Sequence, residues 1–204
     1  MQEKYNEKVK NAIWVAHQLF SRKLVTGSTG NISFLYHDKM YISKSGSCFG
    51  RLDENSFATL SLQGEIVDGN PSKEYPLHLA LYNSNDGYKV IIHTHSLYST
   101  SISCINDIES TINNLFSYTP YLKMLTNGRV GIIPYHKPGS IELFDDFKNN
   151  VKKDTSFYIM RNHGVIVGDS TMYKAFDVIE EFESSANIQV IINNYNPCDF
   201  KKIE

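Results

Sequence analysis

Two turn-centred pairs of short apolar runs follow one another between residues 32 and 67, and they constrain the sheet more than any other feature. Ile32–Tyr36 and Met40–Ser43 flank His37-Asp38-Lys39, while Thr59–Leu62 and Glu65–Val67 flank Gln63-Gly64. Each pair reads as a β-hairpin, so the sheet is at least partly antiparallel. Helical spacing surrounds these hairpins. Over roughly Tyr5–Lys23, Val9, Ile13, Ala16 and Phe20 recur at steps of four, three and four, which is one apolar stripe. Pro76–Asn83 predicts a short helix with Pro76 tolerated in its first turn. Leu97–Cys104 and Ile141–Val151 predict two more, and Met172–Ile192 carries Phe176, Ile179, Phe182, Ala186 and Val190 on one face. Val90-Ile91-Ile92-His93-Thr94-His95 opens as an unbroken apolar run and predicts a buried strand. Arg129–Pro134, Phe157–Met160 and Gly164–Val167 are further strand candidates. No internal repeat, low-complexity tract or linker interrupts the pattern, so residues 1–204 read as a single α/β domain.

Composition excludes several function classes. Hydrophobic residues at 41% and charged residues at 21% are ordinary for a chain with a real core. Twenty Lys and Arg against 22 Asp and Glu give a net charge of −2 with no basic block, which argues against nucleic-acid binding through phosphate contacts. A small anionic ligand needs only a few local donors and stays open. The apolar runs fall far short of the ~20 residues of a membrane span, and Met1–Lys10 is polar and charged, unlike a signal peptide. Cys48, Cys104 and Cys198 are odd in number, widely spread and without CxxC spacing. They predict no disulfide framework and point to a reducing cytoplasm.

The sharpest chemical signal is His93-Thr94-His95. On a strand, residues i and i+2 share a face, so two imidazoles would stand side by side at a strand end. That pair suits a divalent metal such as zinc, which takes about four N, S or O ligands; it also suits two half-exposed histidines with no ligand. A third ligand is required, and His163, in the turn Arg161-Asn162-His163-Gly164, is the best remaining candidate. His17, His37, His78 and His136 read as structural or exposed. Glu74, in Pro71-Ser72-Lys73-Glu74-Tyr75-Pro76, either complements a helix N-terminus or acts as a general acid/base beside a metal. Thr26–Asn31 is a Gly- and hydroxyl-rich turn whose N–H groups and Ser28, Thr29 and Asn31 side chains suit a phosphate, or form a plain turn. It matches neither a Walker A loop nor a GxGxxG fingerprint. Ser43-Lys44-Ser45-Gly46 and Ser72-Lys73 are similar donor-rich loops. No GxSxG elbow is present.

Taken in order, Gly27-Ser28-Thr29-Gly30-Asn31-Ile32-Ser33, Pro71-Ser72-Lys73-Glu74, His93-Thr94-His95 and Asn162-His163-Gly164 resemble the class II aldolase/adducin family over nearly the whole chain. The resemblance implies a central, mainly antiparallel sheet flanked by helices, and commonly a homotetramer with sites between subunits. It implies one Zn2+ per subunit held by His93, His95 and His163, with Glu74 as the catalytic acid/base that also reaches the metal. Ser28, Thr29, Gly30, Asn31, Ser45, Gly46, Ser72 and Lys73 would bind the substrate and its phosphate. A tyrosine from a neighbouring subunit would donate a proton; Tyr121 is the best match and Tyr118 the rival. Four details lean toward the family's 3-oxo-tetronate 4-phosphate decarboxylases: Cys48–Asp53, the Ser72-Lys73-Glu74 triplet, Thr119-Pro120-Tyr121 and Ile133–Gly139. The implied activity is then a zinc-dependent carbon–carbon lyase on a small phosphorylated keto acid. A fuculose- or ribulose-phosphate type aldolase and a non-catalytic adducin-like assembly domain are the alternatives. One departure is Ser43-Lys44-Ser45-Gly46, where family members often carry Thr-Pro-Thr-Gly.

Overall fold

The structure, a computed structural model, describes residues 2–195 and 201–203, so Cys198 lies outside it. Among the described residues, eight strands form one sheet in the order β4-β3-β2-β1-β5-β8-β7-β6. The strands are β1 (Asn31–Tyr36), β2 (Lys39–Ser43), β3 (Phe57–Ser61), β4 (Ile66–Asp68), β5 (Val90–Thr94), β6 (Gly131–Ile133), β7 (Phe157–Met160) and β8 (Gly164–Asp169). Every neighbouring pair is antiparallel except β6–β7. Both hairpins form where the turn residues allow it: His37 and Gly64 adopt positive φ, 51° and 93°, in their turns.

Helices cover both faces. On one lie α1 (Gln2–Ser21), α3 (Leu97–Ser103), α4 (Ile108–Tyr118), α5 (Tyr121–Thr126) and α7 (Met172–Asn193). On the other lie α2 (Tyr75–Ser84) and α6 (Ile141–Asn150). The central strands alternate between two apolar cores. Val90 and Ile92 of β5 join the α1/α7 core, and Ile91 joins the α2/α6 core. In β8, Val165 and Val167 face the first core and Ile166 the second. Burial on both faces is why these strands read as continuous apolar runs rather than alternating ones. The edge strand β4 is short and exposed throughout, which limits edge-to-edge pairing.

The structure differs from the expected elements at three places. The buried stripe of α1 runs through Val9, Ala12, Val15, Ala16 and Leu19, and Phe20 is 37% exposed. Phe20 instead packs its ring on Gly50, where a Cβ would have no room. α4 and α5 fill the stretch between Cys104 and Arg129, for which no element was expected. Asp107 caps α4 by accepting from the Ser110 amide, and Ile108, Ile112 and Leu115 give its buried face. β5 ends at Thr94, so His95 lies just past the strand.

Candidate active site

The sheet register explains why distant histidines meet. β5 runs antiparallel between β1 and β8, with Asn31 opposite His93 on one side and Ile166 opposite His93 on the other. Thr94 pairs with Val165, so one step further His95 comes level with Gly164 and next to His163. Glycine is required there. A Cβ on Gly164 would sit 2.3 Å from the Thr94 carbonyl oxygen and 2.8 Å from His95 Cδ2. Gly30, at φ +77°, likewise carries no Cβ because one would lie 2.8 Å from the His93 carbonyl oxygen. His93 shares a face with Ile91, the face that α2 covers, and α2 delivers the carboxylate. Glu74 is the N-cap residue of α2, yet its side chain makes no capping hydrogen bond. It turns instead toward the histidines, while its place at the start of α2 still sets its charge at the helix N-terminus.

The ligand atoms of Glu74, His93, His95 and His163 all lie within 4.8 Å of one another. Glu74 Oε2 is 3.2 Å from His93 Nε2 and Oε1 is 3.2 Å from His163 Nε2. His95 Nε2 lies 2.7 Å from His93 Nε2. His93 Nδ1 donates to the Val165 carbonyl at 2.8 Å, leaving the Nε2 lone pair aimed into the cluster. His163 Nδ1 is buried with no hydrogen-bond partner, and His163 Nε2 meets only the Glu74 carboxylate. Such orphaned polar atoms are rare in a folded interior unless something else engages them. Three inward lone pairs and a carboxylate form an N3O donor set that fits a divalent cation of the zinc type.

Electrostatics keep His95 and Glu74 in ligand form. Burial pushes the His95 imidazole down to about 3, with the His93 and His163 rings adding to it, so it stays neutral. Burial alone would push the Glu74 carboxyl up; the His93 and His163 rings beside it outweigh that and hold it below its ordinary value. Glu74 is therefore a carboxylate.

Beside the cluster opens a cleft of about 240 Å³, lined by Ser28, Thr29, Gly30, Asn31, Ser45, Gly46, Ser72, Lys73, Glu74 and His95. All three donor-rich loops named from sequence thus converge on one space. Lys44 and Ser47 also line it, together with Pro138 and Gly139 from the loop after β6, which sequence reasoning did not place there. The Lys44 ammonium donates to the Asn55 carbonyl at 2.7 Å. Lys73 is exposed and has no ion pair among the described residues. Thr29 spends its hydroxyl on the Thr26 carbonyl at 2.6 Å. Asn31 differs from a plain anion donor. Its Nδ2 donates to Glu74 Oε2 at 3.0 Å, and its Oδ1 accepts from His78 Nε2 at 2.5 Å.

Tyr121 is not brought to this cleft within one chain. It opens α5, 59% exposed, in a separate groove with Met124, Leu125 and Asp177. Tyr118, its rival, ends α4 with the Lys202 ammonium 5.7 Å from its ring centre. His17 contacts the Leu52 carbonyl and His136 pairs with Asp146, both away from the cluster. Two more residues work near the site: His78, read from sequence as structural or exposed, and Glu183, which was missed. His78 is fully buried under Asn31, and burial pushes it down to about 3. Glu183 of α7 accepts from the Tyr98 and Ser99 amides and the Ser96 and Ser99 hydroxyls, which caps α3 immediately after His95. The alternation of small polar residues with helix starts carried no sign of that long-range acceptor.

This fold and this cluster define a class: the chain belongs to the family of the class II aldolase and adducin N-terminal domain, whose model matches residues 10–190. Metal dependence is a property of class II aldolases, and the Glu/His cluster is where this chain could hold the ion. Among relatives, the chain is 34% identical over 182 residues to the 3-oxo-tetronate 4-phosphate decarboxylase of Escherichia coli (strain K12), covering 88% of this chain and 84% of that one. It is 33% identical over 182 residues to the L-fuculose phosphate aldolase of Methanocaldococcus jannaschii, covering 89% and 95%. The crystal structure of YgbL from Escherichia coli superposes with a TM-score of 0.85 at 30% identity, over 96% of this chain and 93% of that one.

Proposed function

We propose that this chain is a zinc-dependent carbon–carbon lyase, a 3-oxo-tetronate 4-phosphate decarboxylase that yields dihydroxyacetone phosphate and CO2. The observation that carries the reading is the N3O cluster of Glu74, His93, His95 and His163 opening directly onto a cleft of anion donors. A divalent cation held by His93, His95, His163 and Glu74 would supply Lewis acidity to the substrate. The rest falls to the chain. The Ser28–Asn31 turn, Ser45-Gly46, Ser72 and Lys73 hold the phosphate, because hydroxyls, backbone N–H groups and one ammonium are what an anion demands. When the bond to the carboxylate breaks, CO2 leaves and its electron pair stays on the adjacent carbon as an enediolate. Tyr121 from a neighbouring subunit, or Glu74 once it has taken up a proton from water, delivers a proton to that carbon and completes the ketose phosphate.

Tyr121 enters only if subunits meet. Its exposure beside Met124, 70% exposed, and Leu125, 42% exposed, supports a homotetramer with sites at subunit boundaries. Free Cys48 and Cys104, and the absence among the described residues of any helix long and apolar enough to cross a membrane, are in keeping with cytoplasmic placement. Retro-aldol cleavage of a sugar phosphate passes through the same enediolate, and the fuculose-phosphate aldolase relative at 33% identity favours that as a second reading. Supplying 3-oxo-tetronate 4-phosphate, pentulose 1-phosphates and deoxyhexulose 1-phosphates separates the two. CO2 and dihydroxyacetone phosphate from the keto acid are expected; aldehyde release from a sugar phosphate, with no CO2 from the keto acid, assigns the aldolase.

A further inference from the structure

Behind Glu74, a run of buried polar side chains leads away from the cluster into the α2/α6 core. Tyr82, Ser33, His78 and Asn31 are 4%, 0%, 0% and 3% exposed. Tyr82 Oη lies 2.7 Å from Ser33 Oγ, and Ser33 Oγ lies 2.7 Å from His78 Nδ1. His78 Nε2 lies 2.5 Å from Asn31 Oδ1, and Asn31 Nδ2 lies 3.0 Å from Glu74 Oε2. The geometry follows from the elements. His78 and Tyr82 are four residues apart on one face of α2, Asn31 and Ser33 are two apart on one face of β1, and the two rows interleave.

Valence fixes the direction of every bond. A carboxylate only accepts, so the Asn31 NH2 faces Glu74 and its carbonyl oxygen faces His78. That oxygen also only accepts, so His78 carries its hydrogen on Nε2. An imidazole sealed from water holds one hydrogen, which leaves Nδ1 as an acceptor for the Ser33 hydroxyl. The Ser33 oxygen then accepts from the Tyr82 hydroxyl. All four donors point toward Glu74.

We propose that Tyr82, Ser33 and His78 are positioning residues whose one-way hydrogen-bond chain, through Asn31, holds the Glu74 carboxylate turned toward His93 and His163. The need for such a device is visible at Glu74 itself. An acidic N-cap residue has a competing set of partners in the free N–H groups of its own helix, and Glu74 takes none of them. The chain of donors decides between the helix and the cluster. It rests on the reading of that cluster as a metal centre.

The test uses Co2+ as the probe, added to metal-free protein and followed by visible absorption. Tyr82→Phe and Ser33→Ala each remove one donor and are expected to weaken Co2+ binding about 10–100-fold and to shift its bands. Ser33→Thr keeps the hydroxyl and is expected to bind as the parent does. In an Asn31→Ala background, Tyr82→Phe is expected to have no further effect, because the route to Glu74 is already cut. The proposal is overturned if Tyr82→Phe and Ser33→Ala, melting as the parent does, keep its affinity and spectrum. It is also overturned if Tyr82→Phe costs the same with Asn31 present or absent. A parent protein that takes up no Co2+ overturns the metal reading itself, a result distinct from both.

Discussion

His93 donates its Nδ1 hydrogen across the β5–β8 ladder to the carbonyl of Val165, at 2.8 Å. One backbone oxygen on a neighbouring strand thereby decides which nitrogen of a buried imidazole keeps a lone pair for the cluster. The same ladder brings Gly164 level with His95 and so seats His163. Sheet register brings the three rings together, with His93 on β5, His95 just past its end and His163 in the turn that leads into β8.

Substituting Gly164 by alanine is the direct probe of that register. The added methyl would meet the Thr94 backbone oxygen at 2.3 Å, and backbone cannot swing aside as a flexible side chain can. Destabilisation of about 1–3 kcal/mol is expected, with loss of zinc uptake. Urea unfolding together with metal titration measures both.

Much of this architecture is legible in the residue order. The hairpins around His37 and Gly64, the strand that opens at Val90 and the stripe of α7 emerge as expected, because each signal is local. What escapes is set by contacts far apart in sequence. Nothing near His78 announces that Ser33 and Asn31 will satisfy its two nitrogens from another element. Nothing near Ser96 announces Glu183, 87 residues away. The position of α4 was available in the Ile108, Ile112 and Leu115 spacing behind Asp107, but its surroundings are too polar for the pattern to dominate. The three histidines were marked by residue type and their meeting by the family resemblance, while the register that seats them shows only in the fold.

Acid lability follows from His78. Burial first, and then the His93 ring, lower its pKa from 6.5 to about 3, while Glu74 acts weakly the other way. Between those two values the unfolded chain binds a proton that the folded chain refuses, so stability falls as pH falls through that window. The expected slope is about 1.4 kcal/mol per pH unit for this one group. Urea midpoints measured from pH 7 down to pH 5 should drop. A His78→Gln variant, which keeps a donor and an acceptor and does not titrate, should show a shallower dependence.

Tyr121→Phe tests whether Tyr121 is the proton donor. The hydroxyl touches nothing that holds the cluster, so zinc content is expected to stay at the parent level. Turnover is expected to fall about 10²–10⁴-fold, the usual contribution of a positioned acid. Steady-state kinetics beside metal analysis read the two effects separately; unchanged turnover moves the assignment to Glu74 or Tyr118.

Elemental analysis of the protein purified from zinc-replete cells, beside a His93→Ala/His95→Ala variant, tests the central claim most directly. One zinc per chain in the parent and none in the variant is the predicted result. A parent that carries no metal and takes up none when it is offered, or a variant that retains a full complement, contradicts the account.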